Sequence, residues 1–197
     1  MFTGIIETIG RVADIAENGN NKSFWIESSL FSELKVDQSL SHDAVCLTVE
    51  DLRDGLHKVT AVKETLDKTD LAQWGKGIQI NLERALLPSS RLDGHFVQGH
   101  VDCVGTCKKV EDKNGSWQVQ FEFPKKFSAS IIEKGSICVN GVSLTAFDVK
   151  KRSFKVAIIP FTWQNTNLRF LKANDVVNLE FDLIGKYITR KLFLSGK

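Results

Sequence analysis

The chain has 197 residues, 42% of them hydrophobic and 25% charged, with a formal net charge of +2. That is the composition of a soluble globular protein, and the near balance of charge supplies no broad basic field for gripping nucleic acid. No apolar run approaches the roughly 18 residues of a membrane span, and MFTGIIETIG carries no basic segment ahead of an apolar stretch, so no membrane partner and a cytoplasmic location are expected.

Strand signals come first along the chain. GIIETIGRVADI and KSFWIES are short, rich in β-branched or aromatic residues, and separated by polar connections. SLFSELKV at 29–36 follows as a helical candidate, then the strands AVCLTVEDL and HKVTAV, a second helical candidate ETLDKTDLAQW, and the strand IQINLERAL. LLPSSRLDG at 86–94, with Pro, paired Ser and Gly, marks an exposed connection. Beyond it HVDCVGTCKKV, SWQVQFEF, SICVNGVSLTAFDV, SFKVAIIP and VVNLEFDL repeat the strand sequence, with a helical candidate KKFSASIIEKG at 125–135. The closing LIGKYITRKLFLSGK sets Ile184, Tyr187, Ile188, Lys191 and Leu192 at helical spacing, a candidate oligomer contact.

The second half restates the first. SLSHDAVCLTV at 39–49 returns 97 residues later as SICVNGVSLTA, HKVTAVKETLDKTDL maps onto FKVAIIPFTWQNTNL, and Asn81, Leu82 and Glu83 map onto Asn178, Leu179 and Glu180. GIIETIGRV maps onto GHVDCVGTC at an offset of 95. A repeat of this length indicates two similar folds, not a solenoid. Short, evenly spaced strands predict an all-β chain of small closed barrels, because closure removes exposed edges. The units expected are 1–94, 95–183 and a helical tail at 184–197.

Cys46, Cys103, Cys107 and Cys138 match neither a disulfide framework nor paired metal knuckles. Cys103 and Cys107, four apart on a strand, read as small apolar groups on one face. His95 and His100 are five apart on extended chain and point to opposite faces, so no metal is expected.

Four aligned positions change chemistry between the copies: Ile5 becomes His100, Asp37 becomes Lys134, Cys46 becomes Ser143, and Ala85 becomes Asp182. An enzyme treating two bound molecules unequally needs such differences, whereas duplicated domains also drift at their surfaces. Cys46 in VCLTV has the ordinary alternative of a buried small hydrophobe, and His100 that of satisfying a local carbonyl. Ser39, Thr48 and Thr65 recur as Ser136, Thr145 and Thr162. Like hydroxyls in both halves suit a polar ligand of similar shape, although hydroxyls are also common in turns and strands.

MFTGIIE, VCLTV, KETLDKT, NLERAL, DGHFVQGHV, NGVSLT and IIPFT together resemble riboflavin synthases of the alpha-subunit type, the lumazine-binding tandem barrel family, from Met1 to about Asp182. The resemblance implies two tandem six-stranded antiparallel Greek-key barrels and a carboxy-terminal helix through which three subunits associate. It also implies association with lumazine synthase. The activity implied joins two 6,7-dimethyl-8-ribityllumazine molecules by transfer of a four-carbon unit, giving riboflavin and 5-amino-6-ribitylamino-uracil without a cofactor. Holding both molecules in fixed relation lowers such a barrier by roughly 7 to 11 kcal/mol.

Carried onto this chain, the resemblance implies a first-barrel lining of Gly4, Ile5, Ile6, Ser39, Cys46, Leu47, Thr48, Val62 and Thr65. The second-barrel lining is Gly99, His100, Val101, Lys134, Ser143, Leu144, Thr145, Ile159 and Thr162, with Asp182 close by and Phe2 an apolar wall. His100 is the candidate base for the acidic 7-methyl group, and Cys46, Ser39 and Ser143 the groups to add to the partner's C7 or to orient water. Lys134 and Asp182 complete the catalytic set. One departure concerns Ala44, where the family has Gly: if the turn needs a positive φ, Ala44 costs about 1 kcal/mol and could shift Cys46.

A non-catalytic lumazine- or flavin-binding protein of the same fold would show the same repeat. Retention of Cys46, His100, Lys134, Ser143 and Asp182 together favours catalysis, since unneeded reactive groups drift. A flavin reductase would require a nucleotide-binding α/β domain, and the second half repeats the first instead.

Overall fold

The computed structural model describes residues 1–196, and its halves share one strand plan. In the first, β1 (Thr8–Asn18), β2 (Asn21–Glu27), β3 (Ser39–His42), β4 (Val45–Thr48), β5 (Asp51–Arg53), β6 (Leu56–Ala61) and β7 (Gln79–Arg84) form an antiparallel sheet in the order β4-β3-β7-β1-β2-β6-β5. β4 and β5 are one strand broken at Val49 and Glu50. The Glu50 amide still donates to the Lys58 carbonyl at 2.8 Å, so the broken strand borders β3 at one end and β6 at the other, and six strands come round on themselves. In the second half β8 (Cys103–Asp112), β9 (Trp117–Glu122), β10 (Ser136–Val139), β11 (Val142–Phe147), β12 (Ser153–Ile158) and β13 (Val176–Phe181) close as β10-β11-β12-β9-β8-β13. β9 lies beside β12, and β13 between β8 and β10, which is Greek-key connectivity.

Both barrels turn their corner by the same device. The register slips between Val12 and Asp14 on β1 and between Cys107 and Lys109 on β8, positions that correspond at the offset of 95. A bulge raises local twist and bends the strand, which short sheets need in order to close. Inside, alternate residues make two separate cores, one around Phe24, Ile26, Leu40 and Ile80, the other around Phe121, Phe154, Leu179 and Phe181. Cys103 and Cys107 both belong to the second core, where burial pushes their thiols up to about 12 and about 11.

The helical content is smaller than the sequence pattern predicts. Residues 29–36 contain only the 3-10 turn Phe31–Glu33, and 125–135 only Lys125–Phe127. Segments of this length fall short of the roughly 12 to 15 residues that sustain a helix alone. Burial of Leu30, Leu34 and Ile131 against the barrels sets their path instead. ETLDKTDLAQW divides into α1 (Lys63–Lys68) and the 3-10 turn Asp70–Gln73. The Thr69 hydroxyl forms the joint, donating to the Thr65 carbonyl at 2.7 Å and accepting from the Leu71 amide at 3.3 Å. α2 (Pro160–Asn165) is its counterpart, and α3 (Leu183–Leu194) follows β13. Lys197, the last residue of the expected tail, lies outside the described residues.

β7 and β13 are buried on both sides, which explains polar residues in otherwise apolar strands. Ile80 and Leu82 face the first core, while Asn81 and Asn178 meet between the barrels in a network of near two-fold symmetry. Asn81 Nδ2 donates to the Asn140 carbonyl and to Asn167 Oδ1, both at 2.8 Å, and Asn167 Nδ2 donates to both Asp43 carboxylate oxygens at 2.9 and 3.0 Å. Across the axis Asn178 Nδ2 donates to the Asp43 carbonyl at 2.9 Å and to Asp70 Oδ1 at 2.7 Å. Burial raises both carboxyls, Asp43 well above the usual carboxylate range with the charge of Asp70 adding to it, and Asp70 to about 6. Satisfied on this scale, a buried polar network fixes one relative placement of the barrels.

Candidate active site

The residues singled out by sequence gather on one outward patch per barrel. On β3 and β4 the side chains alternate, with Leu40, His42, Val45 and Leu47 buried. Ser39 pairs across the ladder with Thr48, and Ser41 with Cys46, so these four occupy the other face. On β10 and β11 Ser136 pairs with Thr145, and Cys138 with Ser143. Each of these faces carries three hydroxyls and one thiol, of which Ser41 and Cys138 are buried, and the thiol changes strand. Cys46 is half-buried, whereas Cys138 is fully buried between the barrels and its thiol pushed far up by burial and the charge of Glu180. The pairing of Ser41 with Cys138 at the offset of 97 was available in the sequence and is the complement of Cys46 with Ser143.

Segments 2–6 and 94–101, which precede β1 and β8, run between the barrels as two straps. Phe2 and Val97 pair at their crossing. The Cys46 amide donates to the Gly99 carbonyl, and the Ser143 amide to the Gly4 carbonyl, each at 2.8 Å. Gly4 and Gly99 have φ near +80°, and a Cβ at either would lie 2.6 Å from Ser143 Cβ or 2.5 Å from Cys46 Cβ. Only glycine can approach this closely with that backbone. Ile6 packs on the second core and Val101 on the first.

These contacts correct the grouping expected from sequence. Gly4 and Ile6 belong with Ser143, and Gly99 and Val101 with Cys46, because each strap crosses the junction before its barrel begins. Ile5 and His100 are exposed beside these crossings. Leu47 and Leu144 are core residues whose side chains point away from the patches, leaving only their backbone to face a ligand. Phe2 is fully buried with Ala44, Val97 and Cys138, and its ring backs Gly99 instead of walling an open site. Val62 and Ile159 stand exposed at the starts of α1 and α2, with Thr65 and Thr162 on those helices.

Two expected catalytic groups have local partners. Asp182 caps α3, its carboxylate accepting from the Ile184 amide at 2.8 Å. Lys134 occupies a left-handed turn at φ 62°, with Nζ 5.5 Å from the Phe147 ring centre. His95 is the group that sequence reasoning passed over. Its Nδ1 lies 2.7 Å from Ser143 Oγ, and its Nε2 is buried without a protein partner. Burial lowers its pKa while the charge of Asp182 opposes the shift. Among the described residues, no group of three or more His, Cys, Asp or Glu is placed to hold a metal, and no helix is long and apolar enough to cross a membrane.

The lumazine binding domain family matches residues 3–85 and again 98–182. The chain belongs to the riboflavin synthase family of tandem lumazine-binding barrels. It is 36% identical over 193 residues to a riboflavin synthase of Actinobacillus pleuropneumoniae, covering 98% of this chain and 90% of that one. Against a riboflavin synthase of Bacillus subtilis (strain 168) the identity is 34%, with 100% and 92% coverage. The fold is similar to that of LumP crystallised with riboflavin, with a TM-score of 0.86 at 20% identity, covering 92% of this chain and 99% of that one.

Proposed function

We propose that the chain is a riboflavin synthase that converts two 6,7-dimethyl-8-ribityllumazine molecules into riboflavin and 5-amino-6-ribitylamino-uracil. The observation that carries this reading is the pair of matched patches with unlike reactive groups. The first half-site comprises Ser39, Cys46, Thr48, Val62 and Thr65 with the strap residues Gly99, His100 and Val101. The second comprises Ser143, Thr145, Ile159 and Thr162 with Gly4, Ile5, Ile6 and His95, and Lys134 and Asp182 at its margin.

Like hydroxyls seat like molecules, and unlike groups separate their fates. His100 takes a proton from the 7-methyl group of one lumazine, whose carbanion is delocalised into the ring. Ser143, paired with His95, adds to or directs water onto C7 of the other, opening it to attack. Neither half-site completes the reaction alone. The exposed face of α3, formed by Ile184, Tyr187, Ile188 and Leu192, suits association into a homotrimer in which unlike half-sites of neighbouring subunits meet. Lys186 on the other face fixes the helix to the second barrel through Asp102 at 2.6 Å. A cytoplasmic location and association with lumazine synthase accompany this reading.

The test is to incubate purified chain with the lumazine and follow riboflavin absorbance. Turnover that falls per subunit on dilution supports both activity and a shared site. Tight binding without turnover overturns the enzyme, and undiminished turnover by a proven monomer overturns the shared site.

A further inference from the structure

The two straps are held by buried carboxylates that the chemistry above does not use. On β13 Glu180, 1% exposed, accepts from the Gln98 amide at 2.7 Å with Oε1 and from the Gly99 and His100 amides at 2.9 Å with Oε2. On β7 Glu83, 4% exposed, accepts from the Thr3 amide and hydroxyl at 2.6 and 2.7 Å with Oε1 and from the Gly4 amide at 2.9 Å with Oε2. Three donors on one carboxylate leave its strap little freedom, since each broken bond would strand a buried donor. Beyond the clamp, each strap touches the other barrel through the carbonyl of its glycine, Gly99 to the Cys46 amide and Gly4 to the Ser143 amide.

The geometry points to Glu180 and Glu83 as positioning residues: each fixes one strap and, through it, the reacting side chains of the half-site across the junction. Glu180 sets His100 against Cys46, and Glu83 sets Gly4 against Ser143. This rests on the assignment of the two half-sites made above. In this assignment both glutamates act through the straps. Each acts as a backbone vice on its own strap, and the straps also hydrogen-bond to each other at Phe2–Val97 and Thr3–His95. A glutamine in either place offers one acceptor oxygen and turns an amide NH2 toward backbone N–H donors, so the strap must slip. A displacement on the order of 1 Å at reacting groups lowers turnover about 100-fold.

The experiment is a set of double-mutant cycles in kcat, expressed per lumazine site titrated by binding. Glu180→Gln is expected to lower kcat roughly 30- to 100-fold with KM within about threefold. Combined with His100→Ala it should add nothing further, within about twofold, while combined with Ser143→Ala it should multiply. Glu83→Gln should show the reverse pairing. A purely structural role would lower the folded fraction and affect both partners alike. The assignment is overturned if Glu180→Gln leaves kcat within twofold of the parent, or if its effect multiplies equally with both alanines. It is also overturned if Glu180→Gln and Glu180→Asp both fail to accumulate as folded chain, which makes the carboxylate a scaffold element. Failure of the parent chain to make riboflavin would instead remove the proposed activity, so the two failures are distinguishable.

Discussion

The first barrel and the second are built on one plan, and they differ most where that plan leaves choice. Bulges, straps, clamps and hydroxyl patches recur at fixed offsets. Their interiors do not. Where the second barrel packs Val139 and Phe154, the first places His42 and His57, fully buried, with Nε2 atoms 2.9 Å apart. His42 Nδ1 reaches the Leu40 carbonyl at 3.0 Å, and His57 Nδ1 has no partner. The second barrel carries its own aromatic feature, Trp117 stacked on Trp163 with centroids 4.7 Å apart, where the first has Lys22 and Leu66. The junction keeps its strap glycines, its clamping glutamates and the asparagines of β7 and β13 in both halves, while the paired interior positions are free to change.

Removing the chemical difference between the patches should have the largest effect. His100→Ala is predicted to lower kcat by two to four orders of magnitude, about 3 to 5 kcal/mol of barrier, if His100 is the base. Steady-state riboflavin formation measures it, and a near-normal kcat would move the role to His95.

The interior difference should be visible in acid. Burial, aided at His42 by the neighbouring imidazole, lowers both histidines, His57 to about 4 from 6.5. Below the unfolded value the unfolded chain binds protons that the folded barrel refuses, so stability falls as pH drops from about 6.5 toward 4. For His57 the loss reaches about 3 kcal/mol. Asp70, raised by burial to about 6, works in the opposite sense, because the folded chain keeps its proton between about 4 and 6. The joint variant His42→Val, His57→Phe borrows the second barrel's pair and should abolish the histidine part of the slope. Urea unfolding at stepped pH values reads the difference, and identical slopes in the two proteins would exclude the imidazole pair as its source.

A smaller effect sits on the two-fold axis. Ala44 has φ +70°, so the turn does require the left-handed region, and its methyl is fully buried with Phe2, Val97 and Cys138. Gly141 faces it: a Cβ there would lie 3.1 Å from the Ala44 amide nitrogen and 3.4 Å from Ile6 Cδ1. The axis has space for one methyl. Gly141→Ala should therefore cost about 2 kcal/mol, from left-handed strain and crowding together. Ala44→Gly should be neutral within about 0.5 kcal/mol, since relieved strain of about 1 kcal/mol is offset by a lost buried methyl worth about 0.8. Thermal unfolding of both variants checks the asymmetry, and equal costs would contradict it.

Strand order and duplication were legible because alternation and repeat are properties of the chain itself. Cys46 and Thr48 share one face of β4 by parity, whereas Ser39, on β3, joins them only through the hairpin register and was expected from the family resemblance. The crossing of the straps was not legible. Gly4 meeting Ser143, and Gly99 meeting Cys46, are contacts between halves, and no period in either half records which barrel a leading segment leans on. His95 was read by its spacing from His100, which tests only for a metal, while its partner Ser143 is 48 residues away. The short helical candidates failed because Leu30, Leu34 and Ile131 need burial at a barrel surface more than helical backbone.

The polar network between the barrels also bears on which halves can pair. Here Asp43 receives the amide of Asn167, and the equivalent of Asn167 in the first half is Asp70. Two first halves meeting in the same way would oppose Asp43 to a carboxylate in a site shut off from water, and one of the two would have to carry a proton. Two second halves would meet through amides alone, at Asn140 and Asn167. A single substitution type, aspartate against asparagine, thus discriminates between unlike and like partners. Chains that exchange barrels while folding are steered toward a first half joined to a second, whichever polypeptide supplies it.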